Sequence, residues 1–267
     1  MRVQYFSDIH LEFKNIDIIP KLLKNVNADV LVMAGDICPV NDEESRNKFK
    51  TLLEYVCKRY KYVMHVAGNH EYYTEKNQEE IKNNTITHVN AKFKAYSKQF
   101  TNYIYMDCNT LTLLINEKPY TFIGATLWTK VNKADWPAIQ DRMNDYNSIY
   151  VLNKGQISPF TVSYMQLLHT KHRNYIKKEI NKPFNKIPII LITHHRPFIP
   201  EGIHASIFDQ AYTSDMSDVI KLPVVASISG HCHQYTKIEM GGIQYLTNPK
   251  GYPGQHCGYR NDAYIDL

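Results

Sequence analysis

Residues 6–13 read FSDIHLEF. They overlap the end of the apolar run Val3 to Phe6, which reads as a first strand, and they set a carboxylate, Asp8, two positions before an imidazole, His10. In an extended segment that spacing puts both side chains on one side. Four later runs rich in β-branched and aromatic residues read in the same way: Val30 to Ala34, Tyr62 to Ala67, Ile187 to Thr193 and Val224 to Ser229. All five are nearly continuous in hydrophobicity, the pattern of strands covered on both faces in an α/β sheet. Each ends in a short polar sequence: SDIH, GDI with Asp36, GNHE with Asn69 and His70, THHRP with His194 and His195, and SGHCH with His231 and His233. The carboxyl ends of parallel strands share one edge, where ligands bind, so the five motifs are expected to converge on one crevice.

The intervening segments fit an α/β chain. Residues 41–62 carry Phe49, Leu52, Leu53 and Val56 at helical spacing, with acids in the first turn, Lys58 and Arg59 in the last, and Asn41 and Glu44 as a capping box. This is a β-α-β unit and sets its strands parallel. A second long helix is expected from Ser158 as cap, with Pro159 in the first turn, through Met165, Leu168 and Ile176 towards Ile180. The stretch TLTLLINEKPYTFIGATLW reads as two antiparallel strands joined at NEKP, and residues 72–101 as one or two helices. With no Pro/Gly/Ser-rich linker, a single domain over residues 1–267 is expected.

Composition narrows the function classes. At 43% hydrophobic and 21% charged the chain is globular rather than disordered. A net charge of +5 mildly favours anionic partners, but the lysines are scattered and the densest cluster, CKRYKY, reads as a helix end, so nucleic acid is permitted but not indicated. No apolar run approaches the ~20 residues needed to span a bilayer, and MRVQYFSD leads directly into a strand; a cytoplasmic protein without membrane attachment is expected. The five cysteines are odd in number and lack CxxC spacing, which suits a reducing compartment and no structural zinc site.

Taken singly, Asp8 reads as a turn residue, Asp36 as a helix cap and GNHE as an exposed turn. Taken together, Asp8, His10, Asp36, Asn69, His194, His231 and His233 form a mixed nitrogen and oxygen donor set suited to Mn, Fe, Zn or Ni. Seven donors are too many for one ion and enough for two with Asp36 shared, and ions ~3.5–4 Å apart are a recurrent device for phosphoester hydrolysis. Gly35, Gly68 and Gly230, beside these donors, permit sharp turns and close approach.

The ordered set D-x-H, G-D, G-N-H-E, H and G-H-x-H, spanning Asp8 to His233, resembles that of the calcineurin-like metallophosphoesterases. GATLWT, MNDY, AYTSD and NPKGYPG look further like a subgroup of small prokaryotic and phage members. The resemblance implies a two-sheet β-sandwich flanked by helices, a four-layer α/β/β/α fold. It implies that Asp8, His10, Asp36 and His233 hold one divalent ion and that Asp36, Asn69, His194 and His231 hold a second, manganese being favoured. It also implies that His70 is the catalytic histidine and not a ligand. At THHRP two histidines compete; His194, directly after the strand, is preferred, leaving His195 or Arg196 to face substrate. His204, Tyr252, His256 and Arg260 are further substrate-side candidates by location, while Cys232 is a bystander whose side chain points away from its neighbours. His65 is expected in the core, and His88, His169 and His172 on solvated helix faces.

The activity so implied is hydrolysis of a phosphoester, with a lean by analogy towards a phosphodiester such as a nucleotide. A phosphomonoesterase or protein phosphatase, a nuclease tracking a strand, and a non-catalytic interaction scaffold are the rivals; the complete donor set and His70 count against the last.

Overall fold

The structure, a computed structural model, describes residues 1–75, 77–182, 186–199 and 206–267. Along the chain come β1 (Arg2–Phe6), α1 (Ile19–Leu22), β2 (Val30–Ala34), α2 (Glu43–Val56), β3 (Tyr62–Val66), α3 (Gln78–Asn83), α4 (Ile86–Gln99), β4 (Tyr103–Tyr105), β5 (Asn109–Ile115) and β6 (Lys118–Ala125). They are followed by α5 (Trp136–Arg142), α6 (Asp145–Ser148), β7 (Tyr150–Asn153), β8 (Gln156–Pro159), α7 (Val162–Ile180), β9 (Ile189–Thr193), β10 (Val224–Ser229), β11 (Thr236–Met240), β12 (Ile243–Thr247) and β13 (Tyr264–Asp266).

Two large mixed sheets result. The first has the order β13-β1-β2-β3-β4, parallel except for β13. The second has the order β11-β12-β10-β9-β6-β5, with four parallel strands in the middle and an antiparallel strand at either edge. Alternation along each strand builds the layers, because successive side chains point to opposite faces. Val3, Tyr5, Val30, Val32 and Ala34 pack inward against Phe122, Ile190, Ile192, Ala226 and Ile228, which closes the core between the sheets. Phe6, Leu31, Met33 and Val63 point outward onto Phe49, Leu52, Leu53 and Val56 of α2 and Val89 and Phe93 of α4. Ile123, Ile189 and Leu191 likewise meet Ile176 and Ile180 of α7 on the far side. The expected sandwich of two sheets flanked by helices is what the chain adopts.

Local differences have physical reasons. The side chain that caps α2 is Asp42, accepting from Ser45 N at 2.8 Å; the expected cap, Asn41, instead accepts from Asp42 N. Helix α7 starts at Val162 with Thr161 as cap, while Ser158 and Pro159 lie in β8 paired with β7, where Pro needs no ladder donor at a strand end. His169 and His172 are buried rather than solvated, because Met165, His169, His172, Ile176 and Ile180 form one helical stripe facing the molecule. Leu127 N donates to His172 Nδ1 at 3.1 Å. His65 is fully buried, as expected, with Nδ1 2.8 Å from the Tyr103 hydroxyl. Among the described residues no helix is long and apolar enough to cross a membrane.

Candidate metal centre

The carboxyl ends of β1, β2 and β3 from one sheet meet those of β9 and β10 from the other. After β1, β2 and β10 the chain turns through left-handed backbone and not in extended form: φ is 53° at Asp8, 50° at His10, 54° at Asp36, 70° at His231 and 45° at His233. Asp8 and His10 therefore converge through two reversed turns, and not through the alternation of a strand. Left-handed backbone at five non-glycine residues is costly and persists only where surrounding contacts enforce it, as at functional sites. Two glycines make the approach possible. A Cβ on Gly68 would lie 2.1 Å from Asp36 Oδ1, and one on Gly230 would lie 2.8 Å from both Asp8 Oδ2 and Ala34 O.

Two groups of donors form. In the first, His233 Nε2 lies 3.3 Å from Asp8 Oδ1 and 3.2 Å from His10 Nε2. In the second, His194 Nε2 lies 3.4 Å from Asp36 Oδ1, 3.1 Å from Asn69 Oδ1 and 3.2 Å from His231 Nδ1. Asp36 faces both, since its Oδ2 is 3.9 Å from His10 Nε2. Of the two histidines at THHRP, His194 enters the group, whereas His195 is buried with Nδ1 3.3 Å from Thr126 O.

The outer nitrogens reveal what the inner ones present. His10 Nδ1 faces Glu12 Oε1 at 3.1 Å, His233 Nδ1 faces Gln255 Oε1 at 2.7 Å, and His194 Nδ1 faces Ala34 O at 2.9 Å. A ring nitrogen facing an oxygen acceptor carries a proton, and in the neutral ring, the form that binds a metal, the other nitrogen presents a lone pair. Lone pairs from several imidazoles, two carboxylates and an amide oxygen thus point at one another in a buried crevice. That is repulsive alone and favourable around cations, and the outer hydrogen bonds are those that orient metal-binding histidines. The residues fit a pair of divalent ions.

Four further side chains hold this arrangement; none is assigned a role from the sequence, although Glu71 closes GNHE and Asp145 lies in MNDY. Glu71, fully buried, accepts from Gly68 N at 2.7 Å, Asp36 N at 2.8 Å and Ile37 N at 2.6 Å, tying the turns after β2 and β3 together. Asp145 accepts from Asn69 Nδ2 at 2.9 Å and from the Tyr73 hydroxyl at 2.6 Å, which turns the Asn69 carbonyl towards His194. Glu12 Oε1 lies between His10 and His70, 3.2 Å from His70 Nδ1. Gln255 braces His233 and also accepts from Tyr252 N at 3.1 Å.

His70 stands beside the donors, stacked on Tyr73 at 4.2 Å. Burial disfavours its charged form, but the carboxylates of Asp36 and Glu12 outweigh that and raise its pKa to about 9, which favours the protonated ring. For Asp36 burial favours the protonated form, yet His194 and His70 hold it well below the usual carboxylate range.

A cavity of about 400 Å³ opens onto the site between Asp36, Asn69, His70, His231 and His233 and a rim that includes Tyr73, Arg142, Asn144, Tyr212 and Tyr252. Cys232, expected to point away, lines this cavity as well. Arg196 is buried and, like His195, does not line it. His256 is exposed outside it, Arg260 packs over the Tyr235 ring elsewhere, and His204 lies outside the described residues. Asp107, Cys108 and His172 also cluster. There His172 Nδ1 accepts from Leu127 N, so its proton sits on Nε2 and no lone pair remains for a metal.

The family model for calcineurin-like phosphoesterases matches residues 1–235. An uncharacterized protein of Acanthamoeba polyphaga mimivirus is 27% identical, over 100% of this chain and 97% of its own length. Among solved structures, the phosphopantetheinyl hydrolase of Mycobacterium tuberculosis superposes with a TM-score of 0.69 at 16% identity, covering 94% of this chain and 89% of that one, a likeness of fold. Motif order, the meeting of the motif side chains and the extent of the match agree: the chain belongs to the calcineurin-like phosphoesterase family, whose members are metal-dependent phosphoester hydrolases.

Proposed function

We propose that the protein hydrolyses a nucleotide or another small phosphodiester. Asp8, His10, Asp36 and His233 would hold one divalent ion, and Asp36, Asn69, His194 and His231 the other, with manganese the first metal to test. Bound there, the pair would make water nucleophilic at neutral pH and neutralise charge on the phosphoryl group. The protein's own groups do the rest. Glu71 and Asp145 fix the turns that carry Asp36 and Asn69. His70, cationic and next to the site, supplies the proton that the leaving oxygen needs as its bond to phosphorus breaks.

The observation that carries the substrate reading is the cavity. At about 400 Å³ it admits a nucleotide-sized molecule, and its rim offers tyrosine rings for a planar group and Arg142 for an anionic one. No dense basic track leads away from it in the sequence, which favours a small substrate over a polymer.

The test uses metal-stripped protein reconstituted with Mn²⁺, a chromogenic phosphodiester beside the matching phosphomonoester, and Asp36→Asn as control. Because the M. tuberculosis relative in fold is named a phosphopantetheinyl hydrolase, a phosphopantetheinyl ester belongs in the panel. Preference for the diester, abolished in the variant, supports the proposal. Preference for the monoester would redirect it to phosphatase chemistry, and an active Asp36→Asn protein would overturn the shared-ligand arrangement.

A further inference from the structure

Both ring nitrogens of His70 are engaged. Nδ1 faces Glu12 Oε1 at 3.2 Å, so Nε2 is the nitrogen from which a proton can be passed on, and the Tyr252 hydroxyl sits on it at 2.8 Å. Tyr252 is firmly placed. Its ring stacks on His10 with centroids 4.4 Å apart, and its main chain is pinned through Lys250 N to Ser7 O at 3.0 Å and Gly251 N to Asp8 O at 2.8 Å. Lys14 Nζ adds a bond to Gly251 O at 2.7 Å, and Gln255 Oε1 accepts from Tyr252 N. Yet the side chain lines the cavity and the residue is 40% exposed, so substrate can reach the hydroxyl. For His70 to protonate a leaving group directly, the phenol would have to quit Nε2 and give up its stack on His10.

We propose that Tyr252 is a catalytic residue, the last link of a Glu12–His70–Tyr252 proton relay. The reading rests on His70 as general acid. As the oxygen of water bonds to phosphorus, releasing a proton to solvent, and the bond to the leaving oxygen breaks, the leaving oxygen takes the bonding electron pair and the proton of the Tyr252 hydroxyl. The Tyr252 oxygen takes the proton from His70 Nε2. His70 is left neutral, its Nδ1–H still donating to Glu12, and regains a proton on Nε2 from solvent before the next turnover. The hydroxyl comes from the C-terminal segment, beyond residues 1–235 matched by the family model, so it is not part of that matched pattern.

The experiment compares wild type, Tyr252→Phe, His70→Ala and the double variant, all loaded with Mn²⁺. The substrates are aryl alkyl phosphodiesters whose leaving phenol runs from nitrophenol to unsubstituted phenol. Phe keeps the stack on His10 and loses the hydroxyl. Tyr252→Phe should retain two bound ions and an unchanged KM, turn over the nitrophenyl ester nearly as wild type, and lose roughly ten-fold or more in kcat on the phenyl ester. His70→Ala should show the same dependence on leaving group, and the double variant should be no worse than His70→Ala. In metal-free protein labelled with ¹⁵N at histidine, Tyr252→Phe should shift the His70 Nε2 resonance and leave Nδ1 in place. Equal loss on all substrates, no loss on any, or an unmoved Nε2 signal overturns the relay while leaving His70 as general acid. If His70→Ala itself lacks the leaving-group dependence, the general-acid reading fails and the relay falls with it.

Discussion

Replacing Glu71 with Gln changes one buried atom from acceptor to donor and tests how the site is held together. The Glu71 carboxylate is fully buried and accepts three backbone N–H groups: Asp36 and Gly68 at Oε2, Ile37 at Oε1. Each hydrogen bond to a charged group contributes about 1.5–3 kcal/mol. A Gln oriented with its oxygen at the Oε2 position keeps two of these as weaker neutral bonds, while its NH₂ meets Ile37 N–H donor to donor. One charged bond is lost and two are roughly halved, which together cost about 3–6 kcal/mol; relief of the desolvated charge offsets part of it, leaving roughly 2–4 kcal/mol. His65 Nε2, 3.6 Å from Oε1, is too distant to compensate. For a chain of this size the loss lowers Tm by roughly 5–15 °C. Thermal unfolding of metal-free Glu71→Gln beside wild type reads this directly, and Mn²⁺ titration should show weaker binding because Asp36 and Asn69 ride on the tethered turns. A Tm within about 2 °C of wild type and unchanged Mn²⁺ affinity would refute the view that one carboxylate clamps the two strand ends.

Other perturbations follow from the same geometry. Asp145→Ala frees the Asn69 amide and the Tyr73 hydroxyl, and should weaken the ion held by Asn69, His194 and His231 by about 10–100-fold in calorimetric titration while sparing the other; equal binding of both ions at wild-type affinity would count against it. His70→Ala should keep two ions by elemental analysis and, on esters with a poor leaving group, lower kcat by roughly 10²–10⁴-fold; loss of the ions would show that His70 is a ligand. Burial depresses the His172 pKa to about 4, with the nearby Asp107 only partly countering, so the native state holds the ring neutral while the unfolded chain takes a proton below about 6.5. Stability from this group is therefore present above pH 6.5 and lost as pH falls towards 4. The difference in unfolding free energy between metal-free wild type and His172→Gln should drift against wild type by about 3 kcal/mol over that window, and a pH-independent difference would rule the group out.

What the sequence disclosed and what it withheld divide along a physical line. The strands after which the motifs come, and Asp8, His10, Asp36, Asn69, His194, His231 and His233 themselves, were legible because each donor sits beside its own local signal, an apolar run that stops at a small or polar residue. His169 and His172 are buried and not on the solvated faces that their residue type suggests, because their spacing with Met165 and Ile176 places them on the buried stripe of α7. The supporting acids carry no such local mark. Asp145 acts on Asn69 across 76 positions, Glu12 on His70 across 58 and Gln255 on His233 across 22, and an acid or amide in a polar loop looks the same whether it meets water or an imidazole. The left-handed turns at Asp8, His10, Asp36, His231 and His233 were invisible for a related reason: local preference opposes them, and only tertiary bonds such as those of Glu71 and Gly230 hold them. Those same bonds set the direction of the donor lone pairs. The candidate donors can therefore be read from the sequence, while the direction in which their side chains point depends on distant acids, and under the proposed assignment it is at Glu12, Glu71 and Asp145 that substitution should weaken metal binding while all seven donors remain.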